Sequence, residues 1–300
     1  MDPRVIKFRE AQDQAQAERE ASFGTRYNEL VEAVNDINYY GDGNSRHTLD
    51  VYSPKDAGDE VLPVILEIHG GGYIANTKAV TRIHAKYFAS RGFRVVNGDY
   101  TLLPEGSFGM ELQEIADIFR WIWENRETYH FDINRVFLTG DSAGGHLTLL
   151  YAMLQGSEKM RRYFNVTMPP VTIKAAAPTC PAFWFRIDPD YPENAGMNFF
   201  VDLLFPNGAE KELRDMLDVV LLSKESEFPP LHIIAAPQDD LLFRYDLILK
   251  EELEKTGREV EFDICEKITH DLPHVFNVIL TDWEESIEAN ERIIRFLNKH

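Results

Sequence analysis

Arg135-Val136-Phe137-Leu138-Thr139-Gly140-Asp141-Ser142-Ala143-Gly144-Gly145-His146-Leu147 passes from a strand pattern directly into a helical one, with a serine between two glycines at the junction. Arg135 to Thr139 is apolar and bounded like a strand, and Gly144 to Leu154 has the run of a helix. A sharp strand-to-helix turn of the form Gly-x-Ser-x-Gly forces its serine into a strained backbone region and holds the hydroxyl out at the end of a sheet. Glycine stands on either side because neighbouring chain must pass close by. The helix that opens behind Ser142 aims its first amides at negative charge developing on a bound carbonyl oxygen, and Ala143 supplies one of them. Ser142 is therefore the candidate nucleophile.

Outward from this turn, strand signals recur at Asp36 to Tyr40, Thr48 to Tyr52, Val64 to Ile68, Arg94 to Asp99, Ile173 to Ala177, Leu231 to Ala235 and Glu259 to Cys265. The turn-forming stretch Gly41-Asp42-Gly43-Asn44-Ser45 separates the first two and predicts a hairpin. Helical patterns at Met110 to Asn125, Tyr245 to Thr256 and Trp283 to Asn298 alternate with the later strands, and alternation means parallel crossovers. The expected fold is α/β: an eight-stranded, mostly parallel, doubly wound sheet. Arg4 to Val34, rich in Ala, Gln, Glu and Arg, predicts one or two helices ahead of the sheet, so residues 1–35 are expected to form a helical cap and residues 36–300 the main domain. Between Pro181 and Pro230 the alternation breaks into an aromatic-rich insertion, about 181–230, whose aromatic content suits the lining of a substrate pocket. Tyr73, Phe183 and Trp184 are the candidate lining of a substrate pocket.

A second motif, His69-Gly70-Gly71-Gly72-Tyr73, ends the third strand, which by order lies beside the nucleophile strand. Successive glycines expose amides with no side chain in the way, so Gly71 and Gly72, with Ala143, form a candidate oxyanion hole. The Lys spacing of a phosphate-binding loop is missing. His69, directly before the glycines, is expected to brace the loop by hydrogen bonding.

A serine hydroxyl is a weak nucleophile until an imidazole takes its proton, and the imidazole needs a carboxylate to fix its tautomer. Gln238-Asp239-Asp240-Leu241 follows the strand Leu231 to Ala235, which puts Asp239, or failing it Asp240, at the carboxyl edge of the sheet. Thr269-His270-Asp271-Leu272-Pro273-His274 offers two histidines, either of which could be the base. Their spacing resembles a metal-binding helix face, but Pro273 interrupts that helix and no Glu stands where a metalloprotease needs one. No metal and no cofactor are expected.

The formal net charge of -19 repels phosphate backbones and anionic lipid, so nucleic acid is not an expected partner. No apolar run approaches a membrane span, and the charged stretch Met1 to Glu20 lacks the apolar core of a signal peptide, which points to the cytoplasm. Cys180 and Cys265 suit reduced structural thiols. A small-molecule ester is the expected partner, with a homodimer as a further possibility.

The residues resemble the hormone-sensitive-lipase-like branch of the α/β-hydrolases, which holds carboxylesterases and related deacetylases. The resemblance rests on His69-Gly70-Gly71-Gly72, Asp99-Tyr100-Thr101-Leu102-Leu103-Pro104-Glu105, Gly140-Asp141-Ser142-Ala143-Gly144-Gly145, Asp239 and His274-Val275-Phe276, and it spans about residues 36–300. It implies Ser142, Asp239 and His274 as a triad, with His274 preferred over His270. It also implies amides of Gly71, Gly72 and Ala143 as the oxyanion hole, and a capped pocket for short-chain or aromatic esters. Thr101 departs from the family, which usually carries Arg there and pairs it with an acid. Amide cleavage on the same triad is the nearest rival, and a noncatalytic small-molecule receptor on this fold is the rival from another class.

Overall fold

The computed structural model describes residues 1–183 and 195–300. Helix α1, Pro3–Phe23, starts where the Asp2 carboxylate accepts from the Arg4 amide and a proline occupies the first turn. Val5 is its only buried residue, so α1 is a polar cover rather than a core helix. The predicted helix does not reach Val34. Strand β1, Val31–Asn38, takes over because Val31 and Val34 pair with Pro54 and Val51 of β2, Thr48–Pro54. A bulge between Val34 and Ile37, with Asp36 at φ 58°, turns the strand toward the hairpin.

The chain continues through β3, Leu62–Ile68; α2, Arg82–Ala89; β4, Arg94–Gly98; α3, Phe108–Glu124; β5, Phe131–Asp141; α4, Ser142–Leu154; and α5, Glu158–Phe164. After β6, Ala175–Thr179, come the three helices α6, Ala195–Leu204, α7, Lys211–Leu217, and α8, Val219–Glu225. Then follow β7, Leu231–Ala235; α9, Phe243–Glu254; β8, Val260–Ile264; α10, Phe276–Ile279; and α11, Glu284–Lys299. Among the described residues eight strands form one sheet in the order β1-β2-β4-β3-β5-β6-β7-β8. β1 and β2 run antiparallel to their neighbours and every pairing from β4 to β8 is parallel, as the alternating pattern predicts.

Neighbouring residues of the central strands go to opposite faces. Leu66, Val96 and Leu138 pack under α3 and α4 against Ile115, Phe119 and Leu150, while Ile65, Val95 and Phe137 pack on the other face against Phe88 of α2 and Ile293 of α11. Strands buried on both sides read as unbroken apolar runs, which is why they were visible in the sequence.

Thr101 forms no ion pair of the family kind. Its amide and hydroxyl both donate to the Glu114 carboxylate, at 2.6 and 2.8 Å. Glu105, at the end of the same motif, pairs instead with Arg9 of α1 at 2.8 Å, and Arg9 also donates to the carbonyls of Ile74 and Leu103. The N-terminal helix is thereby fastened across the carboxyl edge of the sheet.

Candidate active site

Strand pairing brings the two glycine-rich turns together. Ile68 of β3 lies opposite Gly140 of β5, so both chains leave the sheet side by side. Ser142 has φ 53°, a left-handed conformation that an L residue adopts at a cost. A Cβ on Gly144 would collide with the carbonyl oxygens of Ile68 and His69, which gives the second glycine of the turn its physical reason. Gly71, at φ 125°, holds the other loop in a shape only glycine takes readily.

Asp141 ties the two loops to each other: its Oδ1 accepts from the Gly70 amide at 2.8 Å. Burial pushes the Asp141 carboxyl up to about 6, with the Gly70 amide acting in the opposite sense. Nothing in the motif signals this role, since any residue satisfies its middle position. His69 is fully buried, donates from Nδ1 to Gly70 O at 2.7 Å and stacks on Tyr100, whose hydroxyl donates to His69 O at 2.8 Å. Burial depresses its imidazole to about 3. A neutral ring fixed in this way braces the loop.

Asp239 Oδ2 meets His274 Nδ1 at 2.6 Å, while Asp239 Oδ1 accepts from the amides of Leu241 and Leu242 at 2.9 and 3.0 Å. Asp239 is buried and Asp240 is exposed. His274 and Ser142 line one cavity of about 300 Å³, together with Gly71 and Gly72. Ala143 follows in the first turn of α4, where helix geometry leaves amides without intrahelical acceptors. His270 lies apart, stacked on Trp283 and bonded through Nδ1 to Glu285 Oε2 at 3.0 Å.

The loop bearing His274 has its own anchor. Buried Glu285, in the first turn of α11, accepts through Oε1 from the amides of Ile268, Thr269 and His270. Burial acts to raise its carboxyl, but the His270 and Thr269 donors outweigh burial and hold it below the usual carboxylate range. Its stabilisation is therefore complete above the unfolded value of 4.5 and is lost as pH falls below it. Glu285→Ala leaves these amides without their acceptor. We expect a loss of ~2–3 kcal/mol of stability, read as a lower melting temperature, together with a lower kcat. An unchanged melting temperature contradicts the anchoring role.

The pocket lining differs from expectation. Tyr73 is 1% exposed and absent from the cavity; with φ 66° it turns into the core, where its hydroxyl lies 2.6 Å from His146 Nδ1. Phe183 is likewise buried in the core, and Trp184 lies outside the described residues. The aromatic lining comes instead from Phe8 of α1 and Phe200 of α6, which contact each other edge to face at 5.5 Å. Arg4 of α1 and Asp202 of α6 form an ion pair at 2.5 Å.

Cys180 and Cys265 are buried free thiols. The donor atoms of Cys180, Asp239 and His274 lie within 4.8 Å of one another. Asp239 and His274 already satisfy each other there, so a metal ion would have to break their 2.6 Å contact. Among the described residues no helix is long and apolar enough to cross a membrane.

Comparison with known proteins gives a consistent picture. A family model described as BD-FAE matches residues 49–177. An esterase of Gibberella moniliformis is 27% identical over 207 residues, which are 65% of this chain and 62% of that protein, and a probable carboxylesterase 7 of Arabidopsis thaliana is 24% identical over 84% of this chain and 83% of its own. The crystal structure of esterase B from Lactobacillus rhamnosis superposes with a TM-score of 0.87 at 26% identity, covering 98% of this chain and 94% of that one. The same enzyme inhibited by a C4-C4 tributyrin phosphonate superposes with a TM-score of 0.86 at 27% identity, covering 100% and 96%.

Proposed function

The chain belongs to the α/β-hydrolases of the carboxylesterase class, and from that premise we propose that it hydrolyses small carboxylic esters through an acyl-enzyme on Ser142. The observation that carries the reading is that His274, held by buried Asp239 at 2.6 Å, lines one cavity with a serine at φ 53°. His274 takes the Ser142 proton as Oγ attacks the ester carbonyl, and Asp239 holds the imidazole with its proton on Nδ1. Amides of Gly71, Gly72 and Ala143 receive the oxyanion, each such donor being worth ~3 kcal/mol of barrier. The proton passes from His274 to the leaving alcohol, and water then releases the acid by the same steps in reverse order.

Short acyl chains suit a cavity of about 300 Å³, and a structural neighbour has been solved with a tributyrin phosphonate. In this reading α1 and the helices α6 to α8 form the cap, with Phe8 and Phe200 over the acyl group. The cytoplasm is the proposed compartment, on the two buried free thiols Cys180 and Cys265.

Hydrolysis of 4-nitrophenyl esters from acetate to dodecanoate tests the proposal, with peptide mapping after treatment with a serine-directed phosphonate. We expect the highest kcat/KM at or near butyrate and the adduct on Ser142. An enzyme preparation with neither turnover nor adduct sinks the reading and leaves a noncatalytic receptor in its place.

A further inference from the structure

The side of the cavity formed by α1 changes character along the helix: beyond Phe8 it is lined by Gln12 and Arg19. Arg19 is the one Arg or Lys among the described lining residues, in a chain of formal net charge -19. It is held from behind. Its Nη2 donates to Gln16 Oε1 at 3.1 Å, and Gln16 Nε2 donates to Ala79 O at 2.8 Å. Arg19 Nε is buried with no hydrogen-bond partner. Asp141 lines the same cavity and attracts the guanidinium through space, but its Oδ1 is committed to Gly70.

A guanidinium donor buried without an acceptor is destabilising, and acyl transfer to Ser142 with His274 as the base gives Arg19 no proton to handle. Its planar fork fits a carboxylate, with two parallel N–H donors that a point charge does not offer. We infer that Arg19 is a specificity residue that binds a second, anionic group on the substrate, so that the site favours esters carrying a free carboxylate over neutral esters of similar size. This inference rests on the esterase reading and adds to it the charge of the substrate.

The test compares kcat/KM for two anionic esters with that for 4-nitrophenyl butyrate, in the wild type, Arg19→Met and Arg19→Lys. 4-Nitrophenyl hemisuccinate carries its carboxylate on the acyl side, and 4-carboxyphenyl butyrate carries it on the alcohol side. We expect at least one anionic-to-neutral ratio to fall tenfold or more in Arg19→Met, chiefly through KM, and to recover in part in Arg19→Lys. In the wild type that same ratio falls with added salt. Turnover of all three esters with ratios unaffected by the substitutions overturns this inference alone. No turnover of any ester by the wild type overturns the esterase reading with it. Should Arg19→Met fail to fold, the salt series on the wild type decides, and a ratio independent of ionic strength overturns the inference.

Discussion

If Ser142 is the nucleophile as proposed, Ser142→Ala is expected to lower kcat by ~10⁴-fold or more while the protein stays folded. The magnitude follows from what is lost: without Oγ no acyl-enzyme forms, and the residual rate reflects only substrate positioning and the amides of the glycine loop. Backbone strain gives the experiment an internal check. Ser142 sits at φ 53°, where any residue with a Cβ carries a cost of ~1–2 kcal/mol that glycine avoids. Ser142→Gly is therefore expected to be as inactive as Ser142→Ala but to melt at a higher temperature. A Ser142→Ala protein retaining more than about a hundredth of wild-type kcat places the nucleophile elsewhere. Equal melting temperatures for the Gly and Ala variants mean that the turn is not strained in solution.

Much of the site was legible because it is local. The strand Val136-Phe137-Leu138, the turn around Ser142 and the helix behind it are contiguous, and the His69-Gly70-Gly71-Gly72 loop announces itself by composition. What could not be read was anything set by packing between distant segments. Helix α1 buries only Val5, so it carries no apolar stripe to say which way it faces, and nothing in its sequence placed Phe8, Gln12 and Arg19 on the cavity. Tyr73 was misplaced for a related reason: its position after the glycines suggested the pocket, but a positive φ turned its side chain toward His146. The predicted helix end at Val34 failed because pairing with β2 outweighed the local helical composition. The choice of His274 over His270 came only from family resemblance, and that of Asp239 over Asp240 from chain position after the strand Leu231 to Ala235 with the resemblance in support. Geometry now offers an independent argument, since Asp239 is buried against His274 while Asp240 is exposed and His270 belongs to Glu285.

That geometry also determines how an amide at position 239 should fail. In Asp239→Asn the amide oxygen is expected to keep the place of Oδ1, because the Leu241 and Leu242 amides donate there at 2.9 and 3.0 Å. The amide nitrogen then faces His274 Nδ1, where the carboxylate oxygen now lies at 2.6 Å. A donor in that place forces Nδ1 to accept, which puts the imidazole proton on Nε2, the nitrogen that must receive the Ser142 proton. The base is thus held in its inactive tautomer. We expect kcat to fall by ~10⁴-fold with little change in KM and a near-normal melting temperature. Asp239→Ala supplies the contrast: it leaves the two amides unsatisfied and melts lower, yet it frees His274 to choose either tautomer and so retains more activity than the Asn variant. The order of the two variants, Ala above Asn in kcat and below it in stability, is the outcome a tautomer-fixing carboxylate requires. An Asn variant within tenfold of wild type removes Asp239 from the reaction.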